Sequence, residues 1–149
     1  MGFFYGTTQR NTFGCGFWIA MSIELSYRVY WNGSCNTNTK EEAMALWGLL
    51  CFKYFIENPH IHRYGDSVVI IDQVMGKAVI NNPMLQGWLE RIDLLWHHHS
   101  DSTIQHIGRE QNKEADRLSK RGLQVLNGKW YLEIMWEHKI FDMGDFSFP

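Results

Sequence analysis

Three acidic residues at the ends of regular segments carry the chemistry this sequence offers. Glu42 stands in the first turn of a long helical pattern, Asp66 at the exit of a short strand, and Asp116 on the last helix. Three carboxylates gathered in one place repel one another unless a divalent cation sits among them. Oxygen-only ligands favour magnesium or manganese. His106 brings a titratable imidazole to the end of the strand that feeds the last helix, and Asn112 lies four residues before Asp116, on the same helical face. Each acid also has a plain structural role open to it. Thr39-Lys40-Glu41-Glu42 is a capping box, Asp66 is a good helix cap, and Asp116 can be a solvated surface charge.

The elements around these residues follow from periodicity. Gly2 to Thr7 is apolar and aromatic. Phe13, Cys15, Phe17, Ile19 and Met21 alternate, as do Leu25, Tyr27, Val29 and Trp31. Period two over three consecutive runs with short turns predicts an antiparallel meander. A helix is expected from Lys40 to Glu57, with Ala43, Leu46, Trp47, Leu50 and Tyr54 at helical spacing. A short strand near Ile61 to Tyr64 follows, then a short helix over Val68 to Met75, with Asp66 or Ser67 as N-cap and Gly76 as stop. Asn81-Asn82-Pro83 opens a helix whose stripe is Leu85, Trp88, Leu89, Ile92, Leu95 and Trp96. It closes on His97-His98-His99, whose side chains point in different directions and suit a solvated helix end better than a metal site.

Thr103 to Ile107 reads as a strand that turns at Gly108 into a helix with Glu110 and Gln111 in its first turn. Arg117, Lys120 and Arg121 lie in its last turn, and Gly122 is its stop. Ala115 and Leu118 mark its buried side. The order β-β-β-α-β-α-α-β-α implies a mixed sheet with helices on both faces. Trp130, Leu132, Ile134 and Trp136 alternate in the tail, predicting a strand and a hairpin returning through Ile140 and Phe141.

Length and composition bound the function. A chain of 149 residues with 45% hydrophobic and 15% aromatic residues is a single globular domain with a substantial core. A net charge of -2 argues against a general polyanion binder, so a nucleic-acid partner needs a local basic face. Cys15, Cys35 and Cys51 fit neither a disulfide framework nor a zinc site, and an intracellular location, cytoplasm or nucleus, is expected. No signal peptide is visible, and the longest apolar run, Ala43 to Phe52, is too short to span a bilayer.

In this order and spacing, the chain resembles the type 1 ribonuclease H family, closest to its plant reverse-transcriptase-like branch, which includes retroelement domains. The pieces are Phe3-Phe4-Tyr5-Gly6 with the glycine-rich Gly14-Cys15-Gly16-Phe17, then Thr37-Asn38-Thr39-Lys40-Glu41-Glu42 with Ala45-Leu46, then Gly65-Asp66-Ser67, then His106-Ile107 through Asp116. They cover residues 2 to 123. A ribonuclease H-like domain over 1–123 is expected, with 124–149 as an extension packed on it as a strand or hairpin.

The resemblance implies a five-stranded mixed α/β sheet, its first three strands antiparallel. It also implies magnesium- or manganese-dependent endonucleolytic hydrolysis of the RNA strand of an RNA–DNA hybrid. In the family, four carboxylates hold two metals, one activating water and one stabilising the leaving oxygen. By position, Glu42 and Asp66 serve the leaving-group metal, Asp116 the water-activating metal, and His106 shuttles protons. Thr37, Asn38, Thr39 and Lys40 meet the minor groove of the duplex, where 2′-hydroxyls mark RNA, and Asn112 orients its neighbours.

One departure stands out. Tyr5 occupies the place of the family's first aspartate, the ligand shared by both metals. A phenol with a pKa near ~10 is neutral at pH 7 and a poor magnesium ligand. The expectation is therefore a hybrid-binding domain whose hydrolysis is weak or lost. The alternative is a catalytically dead pseudonuclease that acts by binding nucleic acid, or by contacting proteins through aromatics such as Trp130 and Trp136.

Overall fold

The computed structural model describes residues 1–10, 12–34, 41–56, 62–76, 83–96, 103–126 and 128–147. The meander forms as the alternation demands: β1 (Gly2–Gln9), β2 (Thr12–Ala20) and β3 (Leu25–Ser34) pair antiparallel in sequence order. α1 (Glu41–Phe55) follows, then β4 (Arg63–Gly65), α2 (Val68–Val74), α3 (Pro83–Trp96), β5 (Ile104–His106) and α4 (Lys113–Gly122). The chain ends in the hairpin of β6 (Lys129–Trp136) and β7 (Lys139–Ser147).

The strands make one mixed sheet in the order β5-β4-β1-β2-β3-β6-β7. β4 runs parallel to both β1 and β5, so the carboxyl ends of these three strands share one edge of the molecule. The sheet has seven strands where the resemblance implied five. The two extra strands are the tail, which pairs antiparallel along β3 through β6 and folds back as β7.

Strand alternation sorts the two faces. Cys15, Phe17 and Ile19 of β2 are fully buried. The Phe17 ring lies 5.6 Å from that of Phe52 on α1, so this face is covered by α1. Across it, Trp31 of β3 stacks on Trp130 of β6 at 4.5 Å, and Phe17 meets both edge-on. Burying each of these large rings stabilises the fold by roughly 1.5–3 kcal/mol.

The other face of β2 carries Gly14 and Gly16, and α4 lies directly on it. A Cβ on Gly16 would come within 2.6 Å of the Leu118 Cβ and of the Ser119 backbone nitrogen. A helix can approach a strand this closely only where the strand offers no side chain. Ala115 and Leu118, expected on the inner side of α4, are fully buried there.

Several boundaries differ from the sequence expectation. The last helix does not begin at Gly108. Arg109–Gln111 form a separate 3₁₀ turn, and α4 starts after Asn112. Gly122 is the last helical residue and not a stop; it packs against the backbone of Cys15 and Trp31, and Leu123 closes the helix in a right-handed conformation. The strand expected near Ile61 to Tyr64 is Arg63–Gly65. Trp130, offered with Trp136 as a contact surface, is 1% exposed and belongs to the core; Trp136 is exposed. The triple histidine 97–99 lies outside the described residues.

Candidate functional site

The site is built where β1, β4 and β5 end and α4 begins. Register fixes the heights of its residues. Phe3 of β1 is level with Tyr64 of β4, and Gly65 of β4 is level with His106 of β5. Two residues further along parallel strands, Tyr5 and Asp66 therefore arrive at the same level. Tyr5 is also the cross-strand partner of Gly16, so it shares the face that α4 covers. Gly65 lets the end of β4 lie against Phe4, because a Cβ there would stand 2.5 Å from the Phe4 ring.

The head of α4 is tied to the same place. The Asn112 side-chain amide donates to the Phe4 carbonyl at 3.0 Å. Asn112, expected to orient its neighbours and grouped with the 37–40 loop as a nucleic-acid contact, is 1% exposed and acts as a buried tie. The Asp116 backbone N–H donates to the Asn112 carbonyl, which sets Asp116 one turn further along the helix.

The competing role as a helix cap is settled for Asp66. Ser67, not Asp66, caps α2, its hydroxyl accepting from the Ile70 N–H at 3.3 Å. Asp66 is thus available although its side chain is only 7% exposed. Burial pushes its carboxyl above the ordinary carboxylate range. Arg109 opposes that rise, the negative charge of Asp116 adds to it, and His106 opposes it. These couplings place Asp66, Asp116, His106 and Arg109 in one electrostatic cluster. Asp116 is half-buried, with Lys120 Nζ 3.1 Å from its Oδ2.

Arg109 and Lys120 are the members of this cluster that the sequence reading did not single out as site residues. The Arg109 Nε lies 4.0 Å from Asp66 Oδ2. Lys120 was legible as the i+4 partner of Asp116. Arg109 was not, because it reaches Asp66 through the 3₁₀ turn and no periodicity marks such a turn. Glu42 lies on α1 as expected, but its side chain is outside the described residues, as are Thr37, Asn38, Thr39 and Lys40.

Of the metal-holding groups the resemblance implies, the Glu42 side chain lies outside the described residues and position 5 brings a phenol in place of a carboxylate. Among the described residues, no group of three His, Cys, Asp or Glu side chains is placed to hold a metal ion. Each described acid of the site already faces a side-chain cation, and Tyr5 offers a phenol where a shared carboxylate is required. Among the described residues, no helix is long and apolar enough to cross a membrane.

The chain matches the sequence profile of the family described as Reverse transcriptase-like over residues 19–122. The match begins after β1, so Tyr5 is not within it. No curated protein matches the chain. Among solved structures, it is similar to RNase H1 from the halophilic archaeon Halobacterium salinarum NRC-1, with 23% identity, 83% of this chain and 96% of that chain covered, and a TM-score of 0.73. It is similar to LC11-RNase H1, isolated from compost by a metagenomic approach and solved in complex with RNA/DNA hybrid, with 19% identity, 83% and 95% covered, and a TM-score of 0.72. It is also similar to the N-terminal RNase H domain of rv2228c from Mycobacterium tuberculosis, with 17% identity, 82% and 98% covered, and a TM-score of 0.65. With a sheet, helices and strand order of this kind and a profile match over most of its length, the chain is a ribonuclease H-like domain and belongs to the Reverse transcriptase-like family.

Proposed function

We propose that this domain binds RNA–DNA hybrid across the ends of β1, β4 and β5 and the exposed side of α4, and hydrolyses the RNA strand weakly or not at all. The observation that carries the reading is the position of Tyr5. It stands level with Asp66, on the face covered by α4, where the resemblance calls for the first aspartate. In the working family arrangement, Glu42, Asp66 and Asp116 would hold magnesium or manganese, which supplies an activated water and a stabilised leaving oxygen. Here the shared ligand is neutral, and loss of even an outer-shell partner lowers metal affinity or activity roughly 10–100-fold.

What this chain's own residues do is bind and orient. Lys113, Arg117 and Lys120 fall at helical spacing on exposed α4, a local row of positive charge for a phosphate backbone in a chain of net charge -2. Arg117 is held in place by Glu114 at 2.6 Å, and Glu114 also pairs with Arg28 at 3.1 Å. His106 is exposed at the end of β5 and can donate to a phosphate oxygen. The 37–40 loop, by the resemblance, would meet the minor groove. The solved complex of LC11-RNase H1 with hybrid supports this choice of ligand, and the Reverse transcriptase-like profile accords with a retroelement-type relationship, the plant branch resting on the sequence resemblance alone.

A second reading, contact with proteins, is favoured by exposed Trp136, Ile140, Phe141 and Met143 on the hairpin. Titration of a labelled hybrid and of DNA duplex of the same sequence, over a salt series, separates the two. Preference for hybrid, with affinity falling as salt rises, is the expected result. Salt-insensitive or absent binding contradicts the hybrid reading and leaves the hairpin surface as the better one.

A further inference from the structure

Building on the hybrid-binding reading above, we propose that the site receives the hybrid's phosphates on its own cations, Arg109 and Lys120, and needs no divalent ion to do so. Charge at the site makes the case. The resemblance implies four acids, and a phosphodiester can approach four negative charges only if metal ions lie between. In this chain Tyr5 removes one of the four, leaving Glu42, Asp66 and Asp116. Arg109 faces Asp66 at 4.0 Å and Lys120 faces Asp116 at 3.1 Å. Among the described side chains, each acid of the site has one of these cations beside it, so part of the metal's neutralising role is filled by side chains.

The two cations are also placed to move. The Arg109 and Lys120 side chains are 85% and 64% exposed, so each keeps its hydration and its rotamers. The Lys120–Asp116 pair is partly exposed and holds weakly, and the Arg109 Nε stands 4.0 Å from a carboxylate that is itself only 7% exposed. A backbone phosphodiester offers the guanidinium a second, bidentate partner of equal charge. Arg109 sits in the turn before α4 and Lys120 two turns along it, so the pair brackets the edge where Tyr5 and Asp66 lie level.

The test is hybrid affinity by fluorescence anisotropy, with magnesium and with EDTA at matched ionic strength, for the unchanged chain and for Arg109→Gln/Lys120→Gln. Both residues are exposed, so the variant folds, and circular dichroism checks it. Affinity in EDTA within about twofold of that in magnesium is expected, since each phosphate contact is made by a side chain. The double variant should bind more weakly, with a log–log salt slope shallower by about 0.9 per lost contact, and should gain a dependence on magnesium. Loss of about tenfold or more on adding EDTA to the unchanged chain overturns the metal-free proposal while leaving hybrid binding intact. No binding in either condition overturns both.

Discussion

The side-chain amide of Asn112 donates to the carbonyl oxygen of Phe4 at 3.0 Å, joining residues 108 apart in the chain. This bond fixes the head of α4 against β1 beside Tyr5. It turns an ordering of motifs along the sequence into a site in space. Replacing Asn112 by Ala strands the Phe4 carbonyl beside the site and should destabilise the fold by about 1–3 kcal/mol, measured by urea unfolding. Stability unchanged within error would mean that the bond does not anchor the helix.

The close approach of α4 to β2 gives a second expectation. Gly16→Val puts branched carbon where Leu118 and the α4 backbone already stand. Overpacking of this kind costs typically 1–3 kcal/mol or more. Thermal unfolding should show a clearly lowered midpoint, and the shift of α4 should weaken hybrid binding as well.

The tail is predicted to be integral to the core. Trp130 is 1% exposed and stacks on Trp31. Trp130→Ala leaves a cavity beside Trp31, Phe17 and Trp47, with an expected loss of about 3–5 kcal/mol. A variant as stable as the parent would show the hairpin to be a detachable appendage.

Lys53 on α1 should give stability an alkaline rise. Burial pulls its ammonium down to about 8, and Arg63 acts in the same direction. An unfolded lysine titrates near ~10.4. Below about pH 8 both states hold the proton and the burial penalty is constant. Between about 8 and 10.4 the unfolded chain binds more protons, so stability climbs with pH through that window. Lys53→Met should abolish the climb and raise stability at pH 7 by on the order of 2 kcal/mol. Denaturant midpoints across pH 7 to 10.5 decide it; a parent profile no steeper than the variant's contradicts the assignment.

The sequence carried much of this architecture because its faces are unambiguous. The alternation of Phe13, Cys15, Phe17 and Ile19 marked β2 as a strand with one apolar face, which the structure packs against α1. The apolar stripe of α3, and the choice of a short helix after Ser67, were likewise readable from spacing and capping. What escaped was non-periodic. The 3₁₀ turn at Arg109–Gln111 opens at Gly108, but no glycine or proline separates it from α4. The alternation of Trp130 to Trp136 shows a strand, but its pairing along β3 is decided by tertiary packing of the two tryptophans. Asn112 was read as a residue that orients its neighbours; its partner, the Phe4 carbonyl, is one that sequence spacing cannot bring near.

By the resemblance, Tyr5 stands in the place of the acid that a two-metal hydrolysis uses. That placement is tested most directly by cleavage of a labelled RNA–DNA hybrid in magnesium and in manganese, comparing the unchanged chain with Tyr5→Asp. Little or no cleavage before the change is predicted, then a gain of at least about tenfold after it, lost again when Asp66→Asn is added. Robust cutting by the unchanged chain that disappears with Asp66→Asn alone would contradict the account.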